Sequence, residues 1–125
     1  MRLGQAMVFV SDLPRMQRFY RDLLGLAVIE ETSGFARYDA GGAWLALHAI
    51  PPEYAVAISD PPVKREDTPI KLTFHVDDVA ATRERLLTAG VEMGELWSWN
   101  GHRACDGTDP EGNVFQIATP ATPAT

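Results

Sequence analysis

The chain has a single cysteine, Cys105, so no intramolecular disulfide framework can hold it together. It has no apolar run near the roughly 20 residues that a bilayer-spanning helix needs, and no membrane partner is expected. Basic side chains are scarce, 11 against 17 acidic ones, and the formal net charge of −6 argues against nucleic acid, whose binders present a basic patch. The amino terminus lacks the basic-then-apolar layout of a secretory signal, which makes a cytoplasmic location the expectation. Also missing are a Ser-His-Asp order, a glycine-rich phosphate loop and a nucleotide fingerprint, so hydrolase and kinase readings find no support. At 125 residues the chain is long enough for one core and too short for two independent ones.

What the sequence does contain is an imperfect repeat. Gln5-Ala-Met-Val-Phe-Val-Ser-Asp12, an amphipathic stretch and Gly25 are echoed 66 positions later by Lys71-Leu-Thr-Phe-His-Val-Asp-Asp78, another amphipathic stretch and Gly90. Each half reads as a strand, an acidic helix start, a helix and a glycine stop. Half of such a chain cannot close a large core alone, so the halves are expected to bury apolar faces together, with a groove between them as the functional site. Alternation puts Gln5, Met7 and Phe9 on one face of the first strand, toward a cavity, and Ala6, Val8 and Val10 on the other, toward a helix. Asp12 is a good N-cap, Pro14 falls in the first turn, and Met16, Phe19, Tyr20, Leu23 and Leu24 form one apolar stripe.

Three β-rich stretches follow, Leu26 to Thr32, Phe35 to Asp39 and Ala43 to Ile50, so the first module reads β-α-β-β-β over about 1–50. Residues 51–69 hold five prolines and the charged run Lys64 to Asp67, a composition that suits a linker. Within it, Tyr54 to Ile58 reads as a lid or a short helix. The second module, about 70–119, predicts a strand over Ile70 to Val76 and a helix capped by Asp77 or Asp78 that buries Val79, Leu86 and Leu87. Further strands are predicted over Val91 to Trp99, His102 to Cys105 and Val114 to Thr119, with Asn100-Gly101 as a hairpin turn and Asp109-Pro-Glu-Gly112 as a second turn. Residues 120–125 read as a flexible low-complexity tail.

Four motifs occur in order: Val10-Ser-Asp-Leu, then Phe19-Tyr-Arg-Asp-Leu-Leu-Gly25, then Val76-Asp-Asp-Val79, then Asp109-Pro-Glu-Gly-Asn113. With them the chain resembles the vicinal oxygen chelate superfamily of glyoxalases, extradiol dioxygenases, and fosfomycin- and bleomycin-resistance proteins. The resemblance covers almost the whole chain. It implies an α+β fold of paired βαβββ modules, each a curled mixed sheet with one main helix, forming a cleft. It also implies a homodimer, with modules paired within a chain or swapped between chains. In metal-dependent members the ligands come from the cavity faces of the first and last strands of each module, and the resemblance carries those places to Gln5, Ala46, Lys71 and Gln116. First-row metals favour imidazole, carboxylate or thiolate, and two amides beside an ammonium are poor donors, so no metal and no cofactor is expected. His48, two residues from Ala46 on the same strand face, is the residue that could restore a ligand beside Gln5 and Gln116.

Lys71 shares a strand face with Thr73 and His75. It reads equally as a lysine reaching to water and as an anchor for an anionic or carbonyl group; desolvated, it would be a base or Schiff-base nucleophile. His48 and His75 read as hydrogen-bonded strand residues or as general bases. Trp97 and Trp99 share a face beside the hairpin, and read either as core and edge packing or as an aromatic wall for a planar or cationic ligand. The segment Trp99-Asn-Gly-His-Arg103 resembles the corresponding region of bleomycin-resistance proteins. Cys105 reads as a small strand residue, and most of the scattered acidic residues, among them Glu30, Glu31, Glu92, Glu95 and Asp106, as solvated strand or turn positions. The expected ligand-lining set is Gln5, Met7, Phe9, His48, Lys71, Thr73, His75, Trp97, Trp99, Arg103 and Gln116.

Two function classes follow. One is a metal-independent protein that sequesters an aromatic or cationic small molecule, as in antibiotic resistance. The other is an enzyme: a metal-free isomerase, cyclase or lyase with Lys71, His48 or His75 as acid or base, or a degenerate metal-dependent lyase or dioxygenase.

Overall fold

Two aspartates in equivalent places of the repeat start the two helices. Asp12 Oδ1 accepts the Arg15 amide at 3.1 Å and Asp78 Oδ1 accepts the Ala81 amide at 3.0 Å, each satisfying a first-turn N–H that has no partner inside its helix. The computed structural model describes residues 1–120; the tail expected over 120–125 lies outside the described residues beyond Pro120. The chain divides into two units, Met1–Pro62 and the remainder from Val63.

The first unit contains β1 (Gln5–Val10), α1 (Leu13–Gln17), β2 (Ala27–Glu31), β3 (Phe35–Asp39) and β4 (Trp44–Ala49). Its sheet order is β1-β4-β3-β2, with β1 and β4 parallel and the other pairs antiparallel. After α1 the helix widens over Arg18–Leu23, where the Leu24 amide reaches the Phe19 carbonyl, five residues back, at 3.0 Å. The widening changes the phase of the expected apolar stripe. Met16, Phe19 and Tyr20 are buried, whereas Leu23 and Leu24 are half-buried. On the helix side of the sheet Val10, Ala36, Tyr38, Leu45 and Leu47 are buried. Tyr38 donates to Glu31 Oε2 at 2.7 Å, and Arg21 Nη1 donates to both oxygens of Glu31 at 3.0 Å, so Glu31 is a structural acceptor rather than a solvated charge. Burial, reinforced by Glu31, pushes the Tyr38 phenol well above its usual pKa and keeps it a neutral donor.

The second unit repeats this connectivity with β5 (Leu72–His75), α2 (Val79–Thr88), β6 (Glu92–Met93), β7 (Trp97–Trp99), β8 (His102–Thr108) and β9 (Val114–Ala118). β5 is parallel to β9, β9 antiparallel to β8, and β8 carries both β6 and β7 on its other edge. The single strand expected over Val91 to Trp99 is therefore broken. At the break the Gly94 amide still bonds the Asp106 carbonyl at 2.8 Å, but the Gly94 carbonyl turns away from the ladder. It accepts Arg83 Nε at 2.9 Å and the Cys105 thiol at 3.2 Å. β8 also runs beyond the expected Cys105 to Thr108. In α2, Val79 and Leu86 are buried one above the other, but Leu87 is 37% exposed because it points about 100° round the helix from Leu86.

The turn before β9 is held by a buried carboxylate. Asp109 Oδ1 accepts the amides of Glu111 and Asn113, and Oδ2 accepts Asn113 Nδ2, all at 2.9 Å. Three donors offset the cost of removing this charge from water. Gly112, at φ 87°, leaves room for the Val63 carbonyl where a side chain would clash, and the Arg65 amide donates to the Gly112 carbonyl at 2.8 Å. Residues from Val63 onward, expected as linker, thus pack with the second unit. The stretch Tyr54 to Ile58 is not a helix; one turn closes at Tyr54 and Ala55 on the Pro51 carbonyl, and Ala55 to Ile58 line a cavity with Ser11 to Arg15. Among the described residues no helix is long and apolar enough to cross a membrane.

Gly107 tests the packing of β8 against the side chains of β6 and β9. A Cβ there would lie 2.5 Å from Phe115 Cζ and 2.7 Å from Met93 Sδ. Gly107→Val is expected to destabilise the protein by about 1–3 kcal/mol through overpacking, read as a lower denaturation midpoint at unchanged slope.

Candidate functional site

One face of each sheet carries its helix; the other is open. On the first unit's open face, register aligns Gln5 with Trp44 and Asp39, Met7 with Ala46 and Arg37, and Phe9 with His48 and Phe35. Arg37 stands on β3, yet its Nε donates to Gln5 Oε1, two strands away on β1, at 2.9 Å. The side chain must cross β4, and it can do so because the residue in the middle of its row is Ala46, whose methyl group is the only obstacle. The guanidinium lies 4.7 Å from the Phe35 ring centroid and 5.2 Å from that of Trp44, both cation–π distances. Its Nη1 is paired with Glu30. Beside it, the His48 ring is 5.6 Å from Phe9 and 6.0 Å from Phe35. The Ala49 carbonyl, 2.9 Å from His48 Nδ1, can only accept, so Nδ1 carries the proton and Nε2 of the neutral ring is left as an acceptor. Met7, Phe9, Trp44 and His48 are exposed.

On the second unit's open face, Thr73 aligns with Gln116 and Asp106, His75 with Ala118, Ala104 and Trp97, and Trp99 with His102. Asp106 is the hub. Its Oδ2 accepts Lys71 Nζ at 3.0 Å, its Oδ1 accepts Gln116 Nε2 at 3.2 Å, and Gln116 Oε1 accepts the Thr73 hydroxyl at 3.3 Å. Reading Asp106 as a merely solvated charge was therefore wrong; its cross-strand partner is Gln116, visible only once the register is known. Lys71 is an ion-paired ammonium whose side chain is 44% exposed, not the desolvated amine that a Schiff base needs. Trp97 and Trp99 are exposed and so are not core residues. The Asn100-Gly101 turn, with φ of 50° and 76°, holds them at a hairpin whose backbone twist needs positive φ at both positions. Trp97 meets the His102 ring edge-on at 5.8 Å, and His102 Nδ1 is buried without a hydrogen-bond partner among the described residues.

Of the expected lining residues, Gln5, Met7, Phe9 and His48 share the first unit's open face. Lys71, Thr73, His75, Trp97, Trp99 and Gln116 share the second's. Arg103 does not join them, because alternation along β8 places it with Cys105 on the opposite face. Cys105 is buried, and burial raises its thiol pKa, which makes it an inert packing residue. Sequence reasoning missed Arg37, Phe35, Trp44, Glu30, Asp106 and His102. The alternation of β3, β4 and β8 would have assigned all but Glu30 to a face, but not said which face is covered; Glu30 follows a register shift in β2.

The chain matches the model of the Glyoxalase/Bleomycin resistance protein/Dioxygenase superfamily over residues 2–117. Among solved structures it is 22% identical to lactoylglutathione lyase from Agrobacterium tumefaciens, with a TM-score of 0.70 over 94% of this chain and 92% of that one. It is 18% identical to the genomically encoded fosfomycin resistance protein FosX from Listeria monocytogenes, with a TM-score of 0.75 over 97% and 94% of the two chains. It is 22% identical to TnmS3, an antibiotic binding protein from Streptomyces sp. CB03234, with a TM-score of 0.70 over 97% of each chain. At such identities these likenesses establish the fold and leave the activity to this chain's own residues. The motif order, the twice-used β-α-β-β-β connectivity and a family match over nearly the full length agree: the protein belongs to the Glyoxalase/Bleomycin resistance protein/Dioxygenase superfamily.

Proposed function

We propose that this protein sequesters an aromatic small molecule on its open sheet faces without the help of a metal, in the manner of the bleomycin-resistance branch of its family. The observation that carries this reading is Arg37, which lies across β4 over Ala46 and takes Gln5 Oε1 as its own acceptor. The places that the family resemblance assigns to metal ligands are thereby used otherwise. Gln5 is engaged by a guanidinium, Ala46 has no donor, Lys71 is a cation, and both ends of the Gln116 amide are bonded to Asp106 and Thr73. His48 brings one imidazole, its Nε2 left as an acceptor by the Nδ1 bond to the Ala49 carbonyl, but no carboxylate stands beside it in its row to complete a set. In each unit, a cation and an already bonded amide at these places do not fit a first-row divalent ion.

Binding, by contrast, has support in the exposed rings of Phe9, Trp44, Trp97 and Trp99. Stacking on such a ring contributes about 0.5–1.5 kcal/mol beyond the area it buries. Arg37 and Lys71 on these faces favour the aromatic half of the expected ligand class over the cationic half. The words "antibiotic binding" and "fosfomycin resistance" attached to two structural neighbours make an antibiotic a reasonable first ligand to try. The same reading keeps the homodimer as the assembly, to be measured by analytical ultracentrifugation.

One observation favours a second reading, a metal-free acid–base enzyme. His48 is held in the tautomer that leaves Nε2 as an acceptor, on the same face as a guanidinium able to polarise a carbonyl. Exchange of a C–H beside the carbonyl of a bound ketone in deuterated water, lost in His48→Gln, would establish it.

Elemental analysis of the purified protein is expected to show no stoichiometric Zn, Ni, Fe or Mn, and added zinc or nickel is expected to leave the thermal midpoint unchanged. A stoichiometric, tightly held ion would refute the metal-free reading.

For the aromatic wall, a thermal-shift screen of aromatic antibiotics supplies the ligand. Because both tryptophans are exposed, Trp97→Ala and Trp99→Ala are expected to cost less than about 1 kcal/mol of stability. At least one of them should weaken binding by about 1–3 kcal/mol. Unchanged affinity in both would remove these residues from the site.

A further inference from the structure

Arg37 has more donors than the fold uses. A guanidinium carries five N–H groups; here Nε serves Gln5 and Nη1 serves Glu30, and Nη2 has no hydrogen-bond partner among the described residues. The side chain is only 25% exposed, and Phe35 and Trp44 bracket the group on the open face. A part-buried cation whose plane is fixed by two rings and two acceptors has already lost its rotamer freedom, so an acceptor that meets its remaining N–H groups does so with little further ordering. Glu30 opposes the charge but is itself 46% exposed, so water screens it. The second unit offers no counterpart. The equivalent place in its sheet, opposite Gln116 as Arg37 is opposite Ala46, holds Asp106, an acceptor with both oxygens already engaged.

We propose that Arg37 is the specificity-determining anchor of the first unit's open face and selects planar aromatic ligands that carry a carboxylate, with Nη2 donating to the carboxylate and the ligand ring lying against the surrounding aromatic side chains. This rests on the aromatic-binding reading above and narrows its ligand class from aromatic to aromatic and anionic. The row through Arg37 holds Glu30, already paired with it, and the neutral Ala46 and Met7, so the guanidinium is the donor there that tells an anion from its neutral or cationic isostere.

Three probes of one shape separate these statements: benzoate, benzamide and benzamidine, titrated into the full chain by NMR with the arginine Nε–H and tryptophan indole signals assigned. Benzoate is expected to bind at least about tenfold more tightly than benzamidine, with benzamide between them, and to move the Arg37 and Trp44 signals. Arg37→Met should lower benzoate affinity by about tenfold or more and erase the order among the probes, while Arg37→Lys, which keeps the charge but not the fork, should recover only part of it. If benzoate binds no better than benzamidine, or Arg37→Met binds it as well as the native chain, the anchor is refuted, while the aromatic reading survives on benzamide. If no probe moves any open-face signal, both statements fall. Should Arg37→Met not fold, the native protein decides: no movement of the Arg37 Nε–H signal by benzoate, or a movement insensitive to salt, overturns the proposal.

Discussion

The parallel pairing of the first and last strands of each unit is the constraint from which the rest follows. β1 lies beside β4 and β5 beside β9, and two parallel neighbours cannot be joined by a tight turn. After β1 the chain re-enters at the far edge with β2 and comes back through β3 to β4, and the link that crosses from β1 to β2 is a helix packed on one face. That face becomes core, with Leu45, Leu47, Phe115 and Ile117 buried against it. The other face is left for polar and aromatic side chains. The same pairing sets the register that brings Met7, Ala46 and Arg37 into one row and Thr73, Gln116 and Asp106 into another.

The two units use one backbone plan for opposite electrostatics. In the first the middle row is dominated by a guanidinium that has drawn in Gln5 and Glu30; in the second it is dominated by a carboxylate that has drawn in Lys71 and Gln116. Each charge has a partner, as part-buried charges must. The difference lies in what remains. A guanidinium keeps donors after two contacts, whereas Asp106 has each oxygen engaged. A duplicated scaffold has thus become asymmetric in chemistry, with an anion-selecting group on one face and a closed polar network with a tryptophan pair on the other.

Ala46 shows how much a small residue can decide. A carboxylate or any long side chain at its place in β4 would stand in the path of Arg37. With a methyl group there, the arginine reaches across the strand to Gln5, and a place that could have held a metal ligand holds an organic cation. At the β6–β7 break of the second unit it is the backbone of Gly94 that decides. Its turned carbonyl takes the Arg83 and Cys105 donors, and β7 resumes pairing at Trp97 opposite Ala104.

Local signals in the sequence were enough for the repeat, the aspartate caps, the Asn-Gly hairpin and the order of elements, because each depends on neighbouring residues or on the period of a strand or helix. The face assignment of Gln5, Met7, Phe9, Thr73 and Gln116 was legible for the same reason, since alternation is a property of the strand alone. Among the expectations that failed, one met a non-local contact and two met the phase of a helix or a strand. The strand over Val91 to Trp99 is broken by donors from α2 and β8, Leu87 is exposed by the helix phase, and Arg103 falls on the covered face. Arg37 and Asp106 were invisible as hubs because their partners lie 32 and 35 residues away in sequence, on strands whose neighbour and register are chosen only when the sheet assembles. Sequence by itself determined which residues alternate and where the chain turns; only the tertiary structure decided which of them meet, since a contact across a sheet depends on the pairing of strands that no single strand encodes.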